Sequence, residues 1–168
     1  PCPRMGLYEL IGYRRRWRLL SLWRRTYRSS LAPVVIGGSG GSGTTLLRAF
    51  LDSHPDIVCG PESTVFLSRV SSQATIAQRF GIPADAIDGL LRNCPTQAQF
   101  VENFGGTVLR TQSKLIWADK TPENIGRIDF IFRHFPAARF GHVIRYGLDV
   151  ACAIGSGHWI KLAPGLRG

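Results

Sequence analysis

Apolar residues along this 168-residue chain come in short blocks that alternate between two periods. Val34-Val35-Ile36, Ile57-Val58-Cys59, Leu115-Ile116-Trp117-Ala118 and Phe140-Gly141-His142-Val143-Ile144 are short, mostly apolar runs bounded by glycine, proline or charge, and read as buried strands. Between them the spacing is helical. Leu47, Phe50 and Leu51 share one predicted face, and Ile125, Ile128, Phe132 and Phe135 form a second stripe. Residues 64–80 and 83–104 predict two or three helices laid over the site, with Ala86, Ile87, Leu90 and Leu91 in phase and a break at Pro95. Thr121-Pro122-Glu123 opens a helix with a cap, a proline and an acid in the expected order. Gly147 to Ile154 predicts the last helix. Strands alternating with helices predict a parallel sheet flanked by helices, a three-layer α/β/α fold of the P-loop kind.

The first strand runs into Gly37-Gly38-Ser39-Gly40-Gly41-Ser42-Gly43-Thr44-Thr45. Strand, glycine loop and helix together aim backbone N–H groups and a helix N-terminus at one anion. Gly38-x4-Gly43-Thr44-Thr45 has nucleotide P-loop spacing, but Thr44 stands where a kinase-type loop carries lysine. The expectation is a bound phosphate that is not the γ-phosphate of ATP. A flexible linker is the competing reading, and the apolar strand and amphipathic helix framing the loop argue against it. The other strands end on Glu62, on Asp119-Lys120 and on Arg145, where open α/β sheets gather their chemistry.

Composition adds an uneven charge. Hydrophobic residues make up 44% and charged residues 19%, as in a globular protein, and no apolar run is long enough to predict a transmembrane helix. Residues 1–33 hold eight arginines and one glutamate, and so carry +7 of the net +10. The predicted organisation is a basic arm at 1–31 and a P-loop domain at 32–168. As a helix, the arm would set Leu19, Leu20 and Trp23 among arginines, which suits an anionic membrane surface or a polyanion rather than a specific nucleic acid. Its arginines interrupt the apolar run that a secretory signal needs, so a cytoplasmic, membrane-peripheral protein is expected. Cys2, Cys59, Cys94 and Cys152 form no CxxC pair or Cys/His cluster, which predicts free thiols and no metal site. The chain begins at Pro1 and has its single methionine at position 5, the pattern of a fragment or of an uncertain start.

Taken in order, Gly37-Gly38 through Leu47, Asp52-Ser53-His54-Pro55, Cys59-Gly60-x-Glu62, Lys120-x-Pro122 and Val143-Ile144-Arg145-Tyr146-Gly147-x-Asp149-Val150-Ala151 resemble the sulfotransferases that use 3′-phosphoadenosine 5′-phosphosulfate (PAPS). The tyrosylprotein type and its bacterial relatives are the most similar, over residues 33 to about 160. The resemblance implies transfer of a sulfo group from PAPS to a hydroxyl on a protein tyrosine, a carbohydrate or a small metabolite. It implies a loop of Gly40, Gly41, Ser42, Gly43, Thr44 and Thr45 around the 5′-phosphosulfate, and Arg145 on the 3′-phosphate. It also implies Glu62 as general base and Lys120 on the leaving phosphate oxygen.

The chain departs from that pattern at Gly41, where the family carries arginine or lysine, and at Ala153, where it carries a serine on the 3′-phosphate. The family also continues beyond the point where this chain stops, so a C-terminally incomplete domain is expected. Two other readings compete. One is a kinase- or ATPase-type P-loop protein, which the missing lysine opposes. The other is a non-catalytic polyanion- or membrane-binding module built on the basic arm.

Overall fold

The computed structural model describes residues 27–68 and 73–155. The basic stretch at 13–26 lies outside them, as does everything past 155. Four strands form one parallel sheet in the order β2-β3-β1-β4: β1 (Val34–Gly38), β2 (Ile57–Val58), β3 (Ile116–Lys120) and β4 (Arg139–Val143). Val34 stands opposite Ala118 on one side and Arg139 on the other, so β1 is an inner strand. Six α-helices accompany the strands: α1 (Thr44–Asp52), α2 (Gln73–Phe80), α3 (Ala84–Asn93), α4 (Gln97–Gln112), α5 (Ile128–His134) and α6 (Gly147–Ala153). A 3₁₀ helix spans Pro122–Arg127.

Alternation along the strands sorts the core into two layers. Val35, Val58 and Trp117 face one side, where Ile76 and Phe80 of α2, Ile87 and Leu91 of α3, Phe100 and Phe104 of α4 and Ile131 of α5 cover them. Phe66 stacks on Trp117 with ring centroids 5.7 Å apart, and Phe104 meets the same indole edge-on at 5.8 Å. Gly105 leaves room for that indole, since a Cβ there would overlap the Trp117 ring. Ile36, Cys59 and Ala118 face the other side, against Leu47 and Leu51 of α1. Helices on both faces make this a three-layer α/β/α sheet.

Four local expectations change. On α1 the ridge that packs on the sheet is the half-buried Leu47 and Leu51, while Phe50 is 65% exposed beside an exposed Leu46. The stripe expected at Ile125, Ile128, Phe132 and Phe135 is carried instead by Ile131 and Phe135, with Ile125 and Phe132 exposed. The cause is the 3₁₀ turn at Pro122–Arg127, whose tighter winding shifts the phase of everything after it. Thr121 makes no side-chain cap, because its hydroxyl accepts the Thr64 N–H at 3.3 Å. Residues 64–68 are turn rather than helix, and α2–α4 form the layer on the Trp117 face rather than an insertion over the site.

The described end of the basic arm packs on this body. The Ser29 N–H donates to His134 O at 2.7 Å, and Tyr27 and Leu31 lie against the larger core.

Candidate active site

All four strands are parallel, so their C-terminal ends lie along one edge. From that edge emerge the glycine loop after β1, Glu62 four residues beyond β2, Lys120 closing β3 and Arg145 two residues beyond β4.

The loop owes its path to glycine. A Cβ at Gly38 would sit 2.6 Å from the Val143 carbonyl oxygen, so only glycine lets β1 and β4 approach so closely there. Gly41 and Gly43 hold left-handed backbone at φ 79° and 99°, which L side chains rarely adopt. Ser42 turns inward: its Oγ donates to Ser39 O at 2.6 Å and closes the loop on itself. The Leu46 and Leu47 N–H groups donate to Gly43 O at 3.0 and 3.1 Å, starting α1 there. That leaves the N–H groups of Thr44 and Thr45 at the helix mouth without intrahelical partners. A pocket of about 230 Å³ opens at this point, lined by Gly40, Gly41, Gly43, Thr44, Thr45, Pro122, Arg145 and Ala153.

Arg145 Nη1 donates to Gly41 O at 3.2 Å, and its Nε lies 3.8 Å from Asp149 Oδ2. The second contact is long and exposed, so it leaves most of the guanidinium's donor capacity available. The two departures from the family pattern are neighbours. A Cβ at Gly41 would stand 3.5 Å from the Ala153 Cβ, so the missing cation and the missing hydroxyl open the same wall of the pocket.

The second cluster lies at the β2 and β3 ends. Lys120 Nζ donates to Glu62 Oε1 at 2.6 Å, with the lysine side chain only 5% exposed and the glutamate 32%. Neither lines the loop pocket, but Pro122, two residues past Lys120, does. The sequence leads one to expect all of these residues around the loop at one sheet edge; the structure keeps them at that edge but sets Arg145 on the loop pocket and pairs Glu62 with Lys120 outside its lining.

It missed what holds them. Asp119 is buried and accepts hydrogen bonds from the Ser63 hydroxyl and from Asn124 Nδ2 at 2.8 Å, with Thr121 as a further donor. Burial raises its pKa above the usual carboxylate range, a rise these donors only partly oppose. Asn124 Nδ2 also reaches Ile36 O at 3.3 Å, tying the β3 end to β1. On the far side of β2, Arg48 Nε donates to Cys59 O at 3.0 Å, and the Cys59 N–H donates to Asp52 Oδ1 at 2.9 Å. Helix α1 thus grips both backbone groups of one residue. The sequence offers only Asp119 itself, an acid just after the apolar Ile116-Trp117-Ala118; its partners Ser63 and Asn124 are brought to it by the fold.

The stretch that holds the glycine loop, Glu62, Lys120 and Arg145 has a counterpart among known proteins. The Sulfotransferase family model matches residues 33–156, which takes in every residue of both clusters. The chain belongs to the Sulfotransferase family. Among individual relatives, protein-tyrosine sulfotransferase 1 of Rattus norvegicus is 30% identical over 131 residues, covering 73% of this chain and 33% of the relative. The Homo sapiens protein-tyrosine sulfotransferase 1 is also 30% identical, over 130 residues, covering 72% of this chain and 33% of the relative. A shorter match to protein-tyrosine sulfotransferase of Drosophila melanogaster reaches 50% over 40 residues, 24% of this chain and 8% of the relative. This family member thus spans about a third of the length of the tyrosine sulfotransferase 1 relatives it matches.

Proposed function

We propose that this chain carries the donor-binding and proton-accepting parts of a sulfotransferase that moves a sulfo group from PAPS to a hydroxyl, with protein tyrosine as the acceptor. The observation that carries the reading is the meeting of the glycine loop, Arg145 and the Glu62–Lys120 pair at one edge of a parallel sheet. The tyrosine acceptor rests on the names of the relatives matched.

The pocket fits the phosphosulfate end of such a donor. At about 230 Å³ it is smaller than the roughly 300–1,000 Å³ typical of pockets that enclose whole ligands, so the adenosine would extend beyond it. Thr44 and Thr45 line it, and their N–H groups and hydroxyls would be its donors to the phosphosulfate. Arg145, already at the rim, presents a planar fork suited to a phosphate dianion. It also sets a positive charge beside Gly41, where this chain lacks the family's cation.

In an in-line displacement the acceptor oxygen attacks sulfur from the side opposite the leaving phosphate. A tyrosine phenol, with a pKa of about 10, is protonated at neutral pH. Glu62 takes that proton as the new S–O bond forms, a role typically worth about 10²–10⁴-fold. Lys120 steadies negative charge growing on the departing phosphate oxygen. In the resting arrangement Lys120 also fixes where the Glu62 carboxylate lies.

Calorimetry with 3′-phosphoadenosine 5′-phosphate and with ATP tests the donor assignment. The expected result is distinctly tighter binding of the 3′-phosphorylated nucleotide; equal affinity for both would overturn it.

A further inference from the structure

We propose that Asp119 is a positioning residue whose task is to hold Glu62 against Lys120. The argument starts from the backbone that carries Glu62. Residues 60–64 leave β2 as a loop without regular structure, which alone would let a catalytic carboxylate wander. Thr64 within it holds left-handed backbone at φ 58°, a strained state for a β-branched residue. Such a conformation persists only where neighbours impose it.

Asp119 supplies that constraint. Its carboxylate takes both the hydroxyl and the backbone N–H of Ser63, the residue after Glu62. Lys120, the residue after Asp119, takes the Glu62 carboxylate. Two consecutive residues at the end of β3 therefore hold two consecutive residues beyond β2, in crossed-over order. Thr121 extends the match by accepting the Thr64 N–H. Asn124 closes the frame, bonding the second Asp119 oxygen and the carbonyl of Ile36 just above the glycine loop. A buried acid is costly unless every oxygen is satisfied, and here both are. The arrangement ties the proton-accepting side chain to the strand that bears the donor loop. The tether itself does not depend on which group is transferred, while the role of Glu62 as proton acceptor rests on the proposed function.

Amine labelling tests it without an activity assay. In the 168-residue chain, pulse acetylation with mass spectrometry reads the reactivity of Lys120 against Lys114, which precedes the same strand and bonds to His54 O and Pro55 O. Asp119→Ala is the direct variant, but it risks the fold, so Ser63→Ala serves beside it: it removes the hydroxyl's bond to Asp119 and the bond that hydroxyl accepts from the Val65 N–H, and leaves the Ser63 backbone N–H on Asp119. Loss of a hydrogen bond to a charged group should raise the Lys120 rate by about tenfold or more in Ser63→Ala, with Lys114 unchanged. An unchanged Lys120 rate would overturn the proposal. So would a parallel rise at both lysines, which would mark Asp119 as a support of the whole fold rather than of Glu62.

Discussion

Lys120 Nζ lies 2.6 Å from Glu62 Oε1, joining two residues 58 positions apart at the ends of neighbouring strands. The lysine is almost buried and the carboxylate one-third exposed. On the proposed reading, that exposure is what lets the carboxylate meet an acceptor.

Glu62→Gln separates these roles. Glutamine keeps an oxygen for Lys120 but cannot take a proton. In full-length protein supplied with a tyrosine peptide and PAPS, turnover should fall by at least roughly a hundredfold. Binding of 3′-phosphoadenosine 5′-phosphate, read by calorimetry, should stay within about threefold, because no phosphate contact is lost. Near-parental turnover with intact binding would assign the proton to another residue.

Gly43→Val probes the loop. A Cβ at Gly43 meets nothing within 4 Å, so crowding is not the difficulty; the backbone at φ 99° is. A β-branched residue there should cost on the order of 1–3 kcal/mol or force the loop to refold. Either way the N–H groups at the start of α1 move. The expected result is loss of nucleotide binding by calorimetry with a modest drop in melting temperature. Parental affinity in this variant would mean the loop does not hold the phosphate.

The cysteines should react unequally. Burial, with the nearby Asp119 and Asp52 carboxylates, pushes the Cys59 thiol up to about 12, and burial also raises Cys94, whereas Cys152 is exposed. At pH 8 a thiol of pKa 12 is thiolate in about one molecule in ten thousand. Iodoacetamide followed by peptide mapping should therefore modify Cys152 quickly and Cys59 and Cys94 only on unfolding. The sign for stability follows: with its folded pKa above the ordinary 9.0, Cys59 contributes stability below that value and loses it as pH climbs toward 12. Rapid labelling of Cys59 in native protein at pH 8 would contradict this packing.

The strands and the glycine loop were legible because their signals are local. Val34-Val35-Ile36 and Ile116-Trp117-Ala118 announce themselves by composition, and the chemistry at their ends follows from parallel topology. The α5 stripe was misread because periodicity assumes a constant winding, and the 3₁₀ turn at Pro122–Arg127 breaks it. Asp119, Ser63 and Asn124 stayed hidden for another reason. Their significance lies in contacts between segments as far apart as 88 residues, which no spacing rule encodes. The same holds for the grip of Arg48 and Asp52 on Cys59.

The strand order carries one more consequence. Because β1 sits between β3 and β4, the loop hangs above a watershed: Arg145 lies on one slope and the Glu62–Lys120 pair on the other. On the proposed reading, the nucleotide belongs to the β4 slope and the acceptor must arrive over β2 and β3. Arg79 of α2 reaches that slope, donating to the Glu62 carbonyl at 2.7 Å. Exposed residues on that slope can change without disturbing the glycines and Arg145 across the divide. A single donor grip can thus be inherited intact while the choice of recipient is rewritten.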